Sequence, residues 1–139
     1  RSTDSAIGAS INSSFGIDKD LYRIQSALTY ICSGIVAHDT KLGVVAVGYA
    51  DGIPRNANSS AGVWVAGKRA PLIGRVSMDQ FVVDLGATSL ATTGDEVIVF
   101  GNGNQNEYTV DEWAKACGTI NYEIVTRIGP RVPRIYTRE

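Results

Sequence analysis

Val44-Val45-Ala46-Val47-Gly48-Tyr49-Ala50-Asp51-Gly52 and, further on, Gly62-Val63-Trp64-Val65-Ala66-Gly67-Lys68-Arg69-Ala70-Pro71-Leu72-Ile73-Gly74-Arg75-Val76-Ser77-Met78-Asp79-Gln80 decide how this chain is read. Short apolar runs rich in β-branched residues and punctuated by glycine are the pattern of β-strands joined by tight turns. Ala66-Gly67-Lys68 reads as a hairpin turn, with Gly67 able to take a positive φ. Two of the runs end in loops, one carrying Tyr49 and Asp51, the other Arg75, Met78 and Asp79. Loops held at strand ends by a rigid scaffold are where binding and catalytic side chains concentrate.

Extending outward, the same pattern predicts strands over 43–48, 62–66, 69–76, 81–85, 95–100 and 131–136, separated by polar, turn-forming segments such as Asn56-Ala57-Asn58-Ser59-Ser60 and Gly101-Asn102-Gly103-Asn104. The fold class is mainly β, a Greek-key-like β-barrel with one or two short helices near the C-terminus. The first helix is announced by Thr109 with Glu112 three residues later, a capping box. Val110, Trp113, Ala114 and Cys117 then form one apolar stripe before Gly118. A second helix runs from Asn121 as its cap to Ile128 and is stopped by Gly129-Pro130. The chain before residue 30 mixes small and polar residues without a clear period; it predicts a frayed start and one or two strands through Ile17 and Leu21 to Ile24.

With 139 residues, 44% of them hydrophobic, the chain makes one domain able to bury a core without staples. The formal net charge of −1, with both signs interspersed, gives no electrostatic footprint for nucleic acid or an anionic membrane. No apolar run approaches the ~20 residues of a membrane helix, and the opening Arg1-Ser2-Thr3-Asp4 has no signal-peptide pattern. Cys32 and Cys117 lie far apart and His38 is alone, which predicts reduced thiols, no metal site and a cytoplasmic setting.

Taken singly, the loop residues say little. A tyrosine at a strand end is commonly an amphipathic edge residue, and Arg75 with Asp79 reads as a surface ion pair of small energetic weight. Their combination and order say more. Gly48-Tyr49-Ala50-Asp51-Gly52, Ile53-Pro54-Arg55, Ala70-Pro71-Leu72-Ile73-Gly74-Arg75-Val76, Ser77-Met78-Asp79-Gln80, Gly94-Asp95-Glu96-Val97, Gly118-Thr119-Ile120-Asn121-Tyr122-Glu123 and Pro130-Arg131-Val132-Pro133-Arg134 occur in one sequence. In that order they resemble the C-terminal domain of alanine racemase, and several ordered motifs are far more specific than one.

The resemblance implies an enzyme that interconverts L- and D-alanine, the D-isomer feeding peptidoglycan precursors. By the family's spacing back from Tyr49, Tyr30 takes the place of the catalytic tyrosine, with Thr29 keeping the preceding hydroxyl and Asp39-Thr40-Lys41-Leu42 matching the stretch between; Ala27 and Ile31 stand where the family has glycines. Met78 and its backbone amide would contact the substrate carboxylate with Asp79 beside it, while Tyr49 and Arg75 would line the passage to the site. Pro130 falls where some members have a phosphate-binding tyrosine, and Arg131 and Arg134 would serve structure or the dimer interface.

Racemisation removes a proton from one face of the α-carbon and returns one to the other; in the family a lysine and the tyrosine serve the two faces, and pyridoxal phosphate is the electron sink. None of Lys19, Lys41, Lys68 or Lys115 lies in a motif resembling the cofactor lysine, and no (β/α)₈ pattern occurs here. The resemblance therefore implies that the cofactor is bound by a barrel domain absent from this chain. This chain would act across a homodimer, facing the barrel of a partner subunit, and would be inactive alone. Composition alone equally fits a non-catalytic ligand-binding β-barrel or a subunit-pairing module. The pairing module predicts an apolar patch near the loops and indifference to Tyr30→Phe.

Overall fold

The computed structural model describes residues 15–16, 22–24, 28–35 and 39–136, with side chains from residue 40 onward. The expectations placed on residues 1–14, Ile17, Lys19, Leu21 and His38 lie outside the described residues. Nine strands are present among them: β1 (Phe15–Gly16), β2 (Tyr22–Ile24), β3 (Leu28–Ile35), β4 (Asp39–Val45), β5 (Gly62–Val65), β6 (Lys68–Ile73), β7 (Phe81–Asp84), β8 (Val97–Phe100) and β9 (Arg134–Ile135). Two helices follow β8: α1 (Val110–Cys117) and α2 (Asn121–Thr126).

Seven strands form one antiparallel sheet in the order β2-β8-β5-β6-β7-β4-β3, and β1 pairs with β9 in parallel. The fold is thus mainly β with two helices. Among the described residues β2 and β3 do not pair with each other, so the ribbon is open where a closed barrel was expected.

Local chemistry accounts for the elements. Ala66 and Gly67 both have positive φ (50° and 82°), the two-residue turn whose twist matches that of the flanking strands, and it joins β5 to β6 with Val65 opposite Lys68. β6 then changes partner along its length: Lys68–Pro71 pairs with β5, Leu72–Ile73 with β7. Burial alternates along β7, with Phe81 and Val83 inside, as one face of a sheet on a core requires.

α1 begins as the sequence predicts. The Thr109 side chain accepts from Glu112 N (3.3 Å), and the Glu112 carboxylate accepts from Thr109 N (2.7 Å). Trp113, Ala114, Ala116 and Cys117 are buried, and Val110 packs partly buried against the core.

Several expectations need correction: β6 ends at Ile73 rather than 76, and β8 begins at Val97 rather than 95. β3 is a full strand, hairpin partner of β4, in a region for which no strand was expected. β4 begins at Asp39 rather than 43. The last strand has two residues, so Arg131 precedes it in a turn. α2 ends at Thr126 and is capped by Ile120, because the Asn121 side chain instead accepts from its neighbour Tyr122 N (2.7 Å).

The β8–α1 connection is held by charge. The Arg69 guanidinium pairs with both Glu112 oxygens (2.8 and 3.2 Å), donates to Asn106 O (2.7 Å) and Glu107 O (3.2 Å), and lies over the Tyr108 ring at 4.4 Å. Glu107 is buried, and its carboxylate accepts from Gly103 N (3.0 Å) and Gln105 N (2.8 Å). Burial raises its pKa, but backbone N–H donors outweigh burial and hold it below the ordinary 4.5. The Arg69 hydrogen bonds lower that of Glu112 against its own desolvation.

A carboxyl whose folded pKa is depressed adds stability that is complete above the unfolded value, here 4.5, and lost as pH falls through the folded value. Acid titration followed by circular dichroism should therefore show stability falling below about pH 4.5, more shallowly in Glu107→Gln. An unchanged slope in that variant would remove Glu107 from the account.

Candidate functional site

The loops that follow β4 and β6 meet at one end of the sheet. After β4, Val47 is buried and Gly48 adopts an extended conformation before a single 3₁₀ turn, Tyr49–Asp51. The Asp51 carboxylate accepts from Gly48 N (2.8 Å) while Asp51 N donates to Gly48 O (3.0 Å), so the turn closes on itself. Tyr49 N donates to Ser77 O and Ala50 N to Met78 O, both at 3.0 Å. A Cβ on Gly48 would lie 2.3 Å from each of those carbonyl oxygens, so only glycine permits the approach.

Within this junction Tyr49 is 43% and Met78 52% exposed, two large apolar side chains held in solvent by backbone bonds. The Met78 N–H donates to no group among the described residues and is available to an acceptor from outside.

A third segment completes the junction. Gly129 N donates to Asp51 O (3.0 Å), and the Arg134 guanidinium donates to Ile128 O (2.7 Å). From this turn Arg131 reaches Asp51 Oδ1 with Nε (3.3 Å) and Asp79 Oδ1 with an Nη (2.7 Å). Hydrogen bonding to Asp79, with the charge of Asp51, raises the Arg131 pKa further.

The structure thus brings Tyr49, Met78 and Asp79 together. Arg75 is exposed on the same loop as Met78, without a hydrogen bond or ion pair among the described residues. Tyr30 is described as backbone: it pairs with Val44 near the end of β4 from which the Tyr49 turn departs. Arg131 and Asp51 were not among the expected site residues. Asp51 closes its own turn by accepting from Gly48 N, whereas the contacts of Arg131 span distant segments and leave no mark in a linear pattern.

Among the described residues, the lysines do not suit an amine-linked cofactor at this junction. Lys41 Nζ donates to Ser89 O (2.7 Å), Lys68 is exposed beside the β5–β6 turn and Lys115 is on the exposed side of α1. Among the described residues there is no group of three His, Cys, Asp or Glu side chains that could hold a metal ion, and no helix is long and apolar enough to cross a membrane. Cys117 is a buried free thiol whose pKa is raised by burial.

The family model "Alanine racemase, C-terminal domain" matches residues 21–136. The chain belongs to that family. An alanine racemase of Streptomyces coelicolor is 56% identical over 101 residues, covering 73% of this chain and 26% of the relative. One of Thermobifida fusca is 50% identical over 112 residues, covering 81% and 30%. The solved alanine racemase of Streptomyces coelicolor superposes with a TM-score of 0.75 at 45% identity, over 86% of this chain and 33% of that one. That of Pseudomonas aeruginosa gives 0.75 at 38% identity, over 85% and 35%. The chain therefore spans between a quarter and about a third of the length of these alanine racemases.

Proposed function

We propose that this chain is the single C-terminal domain of an alanine racemase and forms one wall of a site that interconverts L- and D-alanine. The observation that carries the reading is the stitched junction of the Tyr49 turn and the Met78 loop, where the Met78 N–H has no acceptor among the described residues, in a chain of this family.

The Met78 amide donates to the substrate carboxylate, with Asp79 beside it. Tyr49 and Arg75 narrow the passage to a small amino acid, and Tyr30 moves a proton on one face of the α-carbon. Pyridoxal phosphate, supplied by the (β/α)₈ barrel domain of a partner subunit in a cytoplasmic homodimer, provides the electron sink. The described residues of this chain offer that group no lysine at the junction. The seven-stranded sheet and its two helices are read as a Greek-key-like barrel formed by this one chain.

Mixing the chain with a separately produced, cofactor-loaded barrel domain of a close relative tests this. Alanine racemisation should appear in the mixture and in neither part alone. Demonstrable association of the two parts without racemisation would count against the reading.

A further inference from the structure

Asp79 poses a problem for the proposed site, because a carboxylate beside the Met78 amide should repel an anionic substrate group. At about 4 Å two unit charges interact by roughly 1 kcal/mol even in water, and more near a protein surface. Arg131 answers this. Its guanidinium binds Asp79 Oδ1 at 2.7 Å and Asp51 Oδ1 at 3.3 Å, and it rises from a turn fixed on both sides by buried Ile128 and Val132.

Resting on the reading above, we propose that Arg131 is a positioning residue. Its fork holds the Asp79 carboxylate, and with it the Met78 amide, at one separation from the Tyr49 turn, and cancels the charge that Asp79 would otherwise present to the substrate carboxylate. The planar guanidinium is suited to this: one Nη–H donates to Asp79, while the charge of the same rigid group lies 3.3 Å from Asp51.

Exposure argues that the fork acts through geometry more than through stability. The side chains of Arg131 and Asp79 are 44% and 59% exposed, where an ion pair is screened and adds little to folding. Two backbone bonds, Tyr49 N to Ser77 O and Ala50 N to Met78 O, already join the loops on one side. Beyond them the loop has its own Ser77 N to Gln80 O bond (2.9 Å), and Arg131 supplies the contact from the third segment.

The sequence contains one methionine, Met78, which makes the test direct. With [¹³C-methyl]methionine, the chain gives a native reporter at the loop itself. Arg131→Gln and Asp79→Asn should move this resonance in the same sense, and the double variant should move it little further, because both remove one contact. Raising salt from about 0.05 to about 1 M should shift the unsubstituted chain toward the variants and leave the variants in place, as screening of an exposed pair requires.

In the mixture with the barrel domain, Arg131→Gln should raise KM for alanine by about 5–20-fold with kcat changed less than about 3-fold, the pattern of lost ground-state binding. An unmoved methyl resonance, or additive shifts in the double variant, would overturn the proposal. So would a KM unchanged in an active mixture. A methyl resonance that behaves as expected in a mixture that never racemises alanine would leave the fork standing and sink the functional reading instead.

Discussion

Trp113→Ala should destabilise the chain by about 3–5 kcal/mol, a large share of the roughly 5–15 kcal/mol that holds an ordinary domain folded. Trp113 is fully buried on α1, and its ring meets Phe81 of β7 edge-on, with centroids 6.3 Å apart and planes at 67°. Its indole Nε1 donates to Gly62 O of β5 (3.1 Å) and Val99 O of β8 (2.7 Å). These carbonyls belong to neighbouring strands that are matched through Trp64 and Ile98. The indole therefore both fills the core and supplies a donor where the ladder is thin.

Alanine would remove the volume and the donor together. Trp113→Phe separates the two: it keeps most of the apolar area and should cost about 1–3 kcal/mol for the two buried carbonyls that lose their donor. Urea unfolding would show each as a lower midpoint at constant slope. A loss below about 1 kcal/mol for the alanine variant would mean that α1 is not anchored to the sheet through this ring.

The amino-acid sequence makes half of that anchor legible. Trp113 falls on an apolar stripe behind a capping box, and both stripe and box are local patterns, so α1 lies where the sequence places it. The β5–β6 hairpin, β7 and β8 are readable for the same reason: glycine turns and β-branched runs act within a few residues.

β3 is not. Leu28-Thr29-Tyr30-Ile31-Cys32-Ser33-Gly34-Ile35 mixes strand-forming with small residues, and its order comes from pairing with β4, a tertiary effect. The cap of α2 differs from expectation because asparagine has a second local option, its neighbour's N–H, which it takes. At the site, motif order points to Tyr49, Met78 and Asp79, and the structure joins them. Arg131 reads from sequence as a strand residue with a structural duty, since nothing local to it reports the carboxylates at 51 and 79 that it grips.

On the proposed function, Tyr30→Phe should lower racemisation in the mixture with a barrel domain by about 10²–10⁴-fold, the usual weight of a positioned acid or base. The substitution is mild for the fold. The backbone of Tyr30 pairs with Val44, and phenylalanine has a similar preference for a strand. Position 30 lies toward the end of β4 that leads into the Tyr49 turn, which is what a residue acting at that junction needs.

Inversion demands proton transfer on both faces of the α-carbon, so deleting one hydroxyl should block interconversion without abolishing exchange on the opposite face. In deuterated water the variant should still wash out the α-hydrogen of one enantiomer while returning it with its configuration intact, and should leave the other enantiomer nearly untouched. A free phenol titrates near ~10, so on the proposed function Tyr30 would need positive charge close by. Full racemisation by Tyr30→Phe would show that the register back from Tyr49 points to the wrong side chain. Equal loss of exchange from both enantiomers would show that the hydroxyl positions the substrate and does not carry the proton.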